Sequence, residues 1–268
     1  MKRIEKKFQE LKNQCAFIGY ICAGDPDFTT SLNILKAMPK AGVDIIELGV
    51  PFLDPSGDGP IIEMASKRAI QAGMSLSKTF LMAQEFRKNN QETPLILMSY
   101  YNVLLKYGID KIFLDAEKSG IDGVLIVDLP MEEESEILTE LKKSQLDLIR
   151  LIAPSTDEKR AKQILQSASG FVYLISMLGI TGTKMANAES NKNNLAMLKK
   201  ITNLPVAIGF GIQSPSQAGE FSKIGVDGVV IGSTIVKEIG ENFLAKKSAD
   251  EIVLAVTKKI NEFSQQIK

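Results

Sequence analysis

Eight short runs of consecutive apolar residues, spread along the whole chain with longer amphipathic stretches between them, constrain the fold more than any other feature. They fall at 16–23, 45–50, 95–100, 123–128, 148–153, 171–176, 206–210 and 228–232. A strand with one wet face alternates apolar and polar residues, whereas a continuous run is what a strand buried on both faces requires. The stretches at 31–40, 61–72, 76–88, 132–143, 157–167 and 214–223 place apolar residues three and four apart, the spacing of one helix face. Asp157 and Ser214 each precede such a stretch and are expected to cap it. Strand and helix alternating in this way predict an α/β fold, a closed parallel (β/α)8 TIM barrel ringed by helices. Residues 1–12 predict an extra N-terminal helix and 250–263 a closing one, while the two helical stretches between the second and third strands read as an insertion. No Pro/Gly/Ser-rich linker interrupts the 268 residues, so 1–268 is expected to form a single TIM-barrel domain.

Lys plus Arg and Asp plus Glu number 32 each. A balanced charge gives no electrostatic ground for a nucleic-acid or anionic-membrane partner. No stretch approaches the roughly 20 apolar residues that span a bilayer, and the charged first residues lack the apolar run of a signal peptide. Cys15 and Cys22 are the chain's two cysteines, with neither metal-ligand nor disulfide spacing. They read as reduced thiols of a cytoplasmic protein, and no metal is expected. The chain has no histidine, so proton transfer near neutral pH falls to carboxylates, Tyr, Lys or Cys.

Two places carry the chemistry. Residues 47–60 read Glu-Leu-Gly-Val-Pro-Phe-Leu-Asp-Pro-Ser-Gly-Asp-Gly-Pro. An apolar run delivers Glu47 to a strand end, and a loop dense in Gly and Pro then carries Asp54 and Asp58. Barrel enzymes display proton-transfer groups in this way. Asp54 reads as a loop-former or as part of a partner interface. The second place follows the last two strands, with Gly-Phe-Gly-Ile-Gln-Ser-Pro from Gly209 and Gly-Ser-Thr-Ile-Val-Lys from Gly232. Glycines let backbone close on an anion, a helix starting at once points its N–H groups at it, and barrels commonly hold phosphate at these two loops.

The 47–60 stretch resembles the α subunit of tryptophan synthase, and segments near residues 20, 100, 128, 181, 210 and 232 extend the resemblance over the whole chain. It implies cleavage of indole-3-glycerol phosphate to indole and glyceraldehyde 3-phosphate. In that frame Glu47 and Asp58 are the catalytic carboxylates. Tyr20, Met98, Tyr100, Asp128, Tyr173, Thr181 and Phe210 surround the substrate, with Asp128 ordering Thr181 and a lid. Gly182, Gly211, Gly232 and Ser233 hold the phosphate. The resemblance also implies a pyridoxal-phosphate β subunit as partner in an α2β2 assembly, faced by 51–60 and 101–105, with no cofactor in this chain.

Residues 177–194 are polar and weakly periodic, and a loop this long after the sixth strand is expected to be a lid. Leu53, Ser56, Gly57, Met177 and Leu178 depart from the residues familiar in the family. They keep in view an α subunit with weakened catalysis that mainly activates its partner, and a separate alternative is a stand-alone lyase releasing free indole.

Overall fold

The structure is a computed structural model and describes residues 1–12, 14–176 and 188–268. Helix α1 (Arg3–Leu11) leads into strand β1 (Ala16–Cys22), followed by α2 (Phe28–Ala37) and β2 (Ile45–Gly49). Helices α3 (Pro60–Gln71) and α4 (Leu76–Arg87) precede β3 (Leu95–Ser99). Helices α5 (Tyr101–Tyr107) and α6 (Ile109–Lys118) precede β4 (Gly123–Ile126), and α7 (Ser135–Leu141) leads to β5 (Asp147–Ile152). Then come α8 (Glu158–Ile164), β6 (Val172–Ile175), α9 (Ala188–Ile201), β7 (Val206–Gly209), α10 (Pro215–Lys223), β8 (Gly228–Ile231), α11 (Ser233–Leu244) and α12 (Ala249–Ile267). The strands close in sequence order into one parallel barrel, β1 completing the ring against β8 with Ala16 opposite Gly228. This is the (β/α)8 barrel that the apolar runs predict, with the N-terminal helix and the two helices after β2 in place.

Burial on both faces accounts for the continuous runs. Ile18, Ile45, Ile96, Leu125, Ile149 and Phe171 pack inside the barrel with Ile4 of α1. Phe17, Ile46, Leu48, Leu97 and Val124 pack outward against the helices. Helix α1 plugs the floor, with the rings of Phe8 and Phe171 6.0 Å apart. Arg3 and Arg87 grip the two oxygens of Asp122 at 2.7 and 2.6 Å, which ties that plug to the ring. The two predicted caps form: Asp157 accepts from the Arg160 N–H and Ser214 from the Gln217 N–H.

Two local expectations are corrected, and one connection with no assigned helix is filled. Helix α2 begins at Phe28, not near 31, because Asp27 accepts from the Thr30 N–H and starts the helix earlier. A helix pair, α5 and α6, fills the connection between β3 and β4. Of the expected lid loop 177–194, residues 177–187 lie outside the described residues, and 188–194 belong to α9. Its buried residues Ala188, Asn191, Leu195 and Leu198 have helical spacing, but small Ala188 and polar Asn191 conceal it. Asn191 is buried because its amide donates to the Ser176 carbonyl at 3.0 Å.

Candidate active site

Register brings the two ends of the site together. Tyr20 on β1 lies opposite Glu47 on β2, and Gly49 lies opposite Met98 on β3. Strand alternation points Glu47 inward, above an interior packed with Ile18, Ile45 and Ile96. The Glu47 side chain is buried, and its Oε1 has no hydrogen-bond partner among the described residues. Burial without compensation raises its pKa from the ordinary 4.5 to about 8, because the charged form loses its solvation. At neutral pH this group carries a proton.

Asp58 sits just before α3, whose first residue is Pro60 after Gly59. The Tyr100 hydroxyl donates to Asp58 Oδ2 at 3.0 Å and accepts from the Gly57 N–H at 3.2 Å. Burial raises the Asp58 pKa to about 6, with the Tyr100 hydrogen bond opposing it and Glu63 adding to it. Two carboxyls of one cleft are thus held in different states near neutrality, one protonated and one ionised. Such a division lets one carboxyl carry a transferable proton while the other offers a fixed negative charge.

Two glycines make room for two phenols. A Cβ on Gly49 would collide with the Tyr20 hydroxyl, and one on Gly209 with the Tyr173 hydroxyl. Both rings therefore lie across the strand ends, over the cleft. The Tyr173 ring meets Phe210 edge-on at 5.7 Å. Burial, first of all, lifts both phenols well above their ordinary pKa, so they stay neutral donors.

The loops after β7 and β8 form the other wall. Phe210 and Gly211 both take the left-handed conformation, with φ of 74° and 71°. The Ser176 hydroxyl bonds the Phe210 carbonyl, and Thr234 Oγ1 donates to the Ile212 carbonyl at 3.4 Å, linking the two loops. Helix α11 starts at Ser233 directly after Gly232. Its first-turn N–H groups have no intrahelical acceptors, and the helix dipole favours an anion there.

Tyr20, Glu47, Asp58, Met98, Tyr173, Phe210, Gly211, Gly232 and Ser233 line one cleft. Tyr100 stands one step behind, holding Asp58. Asp128 is exposed, and it accepts the Tyr101 N–H at 2.7 Å, capping α5 from the end of β4. Thr181, Gly182, Met177 and Leu178 lie outside the described residues. Sequence reasoning missed Ile62, Ile212 and Val230, which complete the lining. Ile212 adjoins the glycine loop and could have been read from it, whereas Ile62 and Val230 carry no signal beyond helix and strand periodicity. Among the described residues no group of three or more Cys, Asp or Glu side chains could hold a metal ion.

Fold and cleft together define a class: a (β/α)8-barrel enzyme with its titratable carboxyls at the carboxyl ends of the strands, where such barrels place their active sites. A sequence profile of the family described as Tryptophan synthase alpha chain matches residues 7–268. Tryptophan synthase subunit alpha from Legionella pneumophila str. Paris is 33% identical, with a TM-score of 0.91 over 100% of this chain and 98% of that one. A structure of Mycobacterium tuberculosis tryptophan synthase is 28% identical, with a TM-score of 0.88 over 99% and 98%. The chain belongs to the tryptophan synthase alpha chain family.

Proposed function

We propose that Glu47 and Asp58 perform in this cleft the family's reaction, the retro-aldol cleavage of indole-3-glycerol phosphate to indole and glyceraldehyde 3-phosphate in tryptophan biosynthesis. The observation that carries the assignment is Glu47 itself, a buried carboxyl, protonated at neutral pH, with one oxygen unpartnered among the described residues. Cleavage needs one proton delivered to indole C3 and one removed from the carbinol hydroxyl beside the ring. Protonated Glu47 gives its proton to C3, making an indolenine-like cation. Its carboxylate then takes the hydroxyl proton as the C–C bond breaks, the bond electrons restoring the indole. Glu47 ends as it began, so a single carboxyl closes the cycle. Asp58, ionised, accepts the indole N–H and stabilises the positive charge that C3 protonation creates.

Met98 and Ile62 supply apolar walls for a flat ring, and Tyr20, Tyr173 and Phe210 the aromatic ones. Gly211, Gly232 and Ser233, with Gly182 from outside the described residues, take the phosphate. Thr181 closes over the substrate, and Asp128 acts from outside the cleft by fixing α5 and ordering the lid. The whole of 1–268 acts as one domain. The chain itself uses no cofactor. Its partner is a pyridoxal-phosphate β subunit, in an α2β2 assembly in the cytoplasm, that consumes the indole. Leu53 and Leu105, 60% and 48% exposed, lie on the segments assigned to that partner. Phe52 packs on the Tyr100 ring at 5.4 Å and so connects this surface to Asp58. Among the described residues no helix is long and apolar enough to cross a membrane.

The test is indole release by the purified chain, alone and with a β subunit, beside Glu47→Gln. Cleavage that rises with the partner and disappears in the variant is expected. Cleavage indifferent to the partner supports a stand-alone lyase, and a silent chain that still stimulates the β reaction supports an activator. Undiminished turnover by the Gln variant refutes the assignment of Glu47.

A further inference from the structure

Tyr20 has its base against the proposed phosphate loop and its tip beside the carboxyl pair. A Cβ on Gly232, the residue that precedes α11, would lie 3.3 Å from Tyr20 Cβ and 3.4 Å from its ring. At the other end, the Tyr20 hydroxyl occupies the space a Cβ on Gly49 would need, two residues beyond Glu47. The Tyr173 hydroxyl lies over Gly209 and is also within electrostatic reach of Glu47 and Asp58, but no contact of Tyr173 with Gly232 accompanies it. The Tyr100 hydroxyl is already engaged by Asp58 and Gly57, whereas that of Tyr20 makes no hydrogen bond among the described residues. The sole buried polar side-chain atom without a partner among those residues is Glu47 Oε1. The Tyr20 oxygen therefore reaches the cleft rather than being sealed in protein, and Tyr20 lines the cleft.

The substrate assigned above has a three-carbon chain with the phosphate at one end and the ring at the other. The hydroxyl next to the ring reacts at Glu47. The middle hydroxyl takes no part in bond breaking and lies between the two groups that Tyr20 spans. Resting on the lyase reading, we propose that the Tyr20 hydroxyl binds this middle hydroxyl, making Tyr20 the residue that selects a glycerol phosphate chain over a deoxy chain. A polar group left unpaired in a closed cleft disfavours any ligand that cannot satisfy it, so the contribution is discrimination as well as affinity. A neutral hydrogen bond of this kind corresponds to roughly a tenfold preference. The phenol stays neutral and can donate throughout the working pH range.

Two non-cleavable ligands isolate the contact by calorimetry on the full chain. One is an indol-3-yl propyl phosphate carrying only the middle hydroxyl, and the other has no hydroxyl. The wild-type chain is expected to bind the hydroxylated ligand roughly tenfold more tightly. Tyr20→Phe, which removes an oxygen with no partner among the described residues and keeps the ring, is expected to lose the preference and to bind the unhydroxylated ligand at least as tightly as the wild type does. A preference that survives in the Phe variant, or one absent from the wild type, overturns the proposal. Failure of both ligands to bind the wild type overturns the lyase reading itself, which separates the two failures.

Discussion

Removing the charge of Glu47 should stabilise the folded chain, and the gain should depend on pH. The folded-state pKa of Glu47 is about 8 against an ordinary 4.5. At 1.36 kcal/mol for each pH unit, full ionisation in the folded state therefore costs roughly 5 kcal/mol, a ceiling that relaxation and water entry reduce. The folded state binds this proton more tightly than the unfolded chain. Stability is thus undiminished below the unfolded value and is lost progressively as pH rises from about 4.5 towards about 8. Glu47→Gln cannot ionise. Relative to wild type, its melting temperature should change little near pH 4 and should rise by up to roughly 10 °C near pH 9, at about 2 °C per kcal/mol for a chain of this length. Differential scanning calorimetry of both proteins across that range reads the effect. Because the amide's own packing cost is independent of pH, only the slope matters. A difference that stays flat with pH refutes the view that this carboxyl is buried without a partner.

The kcat/KM for indole release should follow a bell, rising as Asp58 ionises through about 6 and falling as Glu47 ionises through about 8; a single sigmoid would remove one of the two roles. Tyr100→Phe takes away the hydrogen bond that holds the Asp58 pKa down, so the acid limb should move up by about one pH unit. A purely structural role for Tyr100 would lower activity without moving the limb. Gly211 holds a φ of 71°, where an Ala is strained by about 1–2 kcal/mol, and a loop that relieves the strain by turning moves its N–H groups off the phosphate. Gly211→Ala should therefore raise KM for indole-3-glycerol phosphate roughly tenfold with kcat within about twofold, whereas a fall in kcat alone would move Gly211 out of the phosphate site.

The barrel was legible because burial on both faces imposes continuous apolar runs, and β1 to β8 all lie within or beside them. The ends of elements were less so. Asp128 caps α5 across a different strand connection, and nothing near Tyr101 in sequence announces that bond. Helix α9 hides its face behind Ala188 and Asn191, the latter buried through a bond to a distant carbonyl. In the site, Glu47 and Asp58 could be read from the 47–60 stretch, and Gly211, Gly232 and Ser233 from the glycine loops. The reason Gly49 and Gly209 are glycines could not. Each yields space to a tyrosine on a neighbouring strand, a contact that exists only once the register is set. Ile62 and Val230 look like any core residue until the cleft is formed.

The distribution of charge leads to one more expectation. A phosphomonoester brings about 1.5 to 2 negative charges at neutral pH, and Asp58 adds another while it is ionised. The phosphate wall answers with backbone N–H groups at the start of α11, whose favourable field decays within the first turn. Glu47 lines the same cleft as that wall, in surroundings where charges interact far more strongly than in water. Substrate binding therefore adds negative potential at a carboxyl already reluctant to ionise, and raises its pKa further. The basic limb of kcat, which reports the substrate complex, should lie at higher pH than the basic limb of kcat/KM, which reports the free enzyme. Steady-state rates at saturating and limiting substrate between about pH 7 and 10 measure both. A basic limb that moves down on saturation would mean that Glu47 meets the substrate as a carboxylate, and the proton for C3 would then have to come from another donor in the cleft.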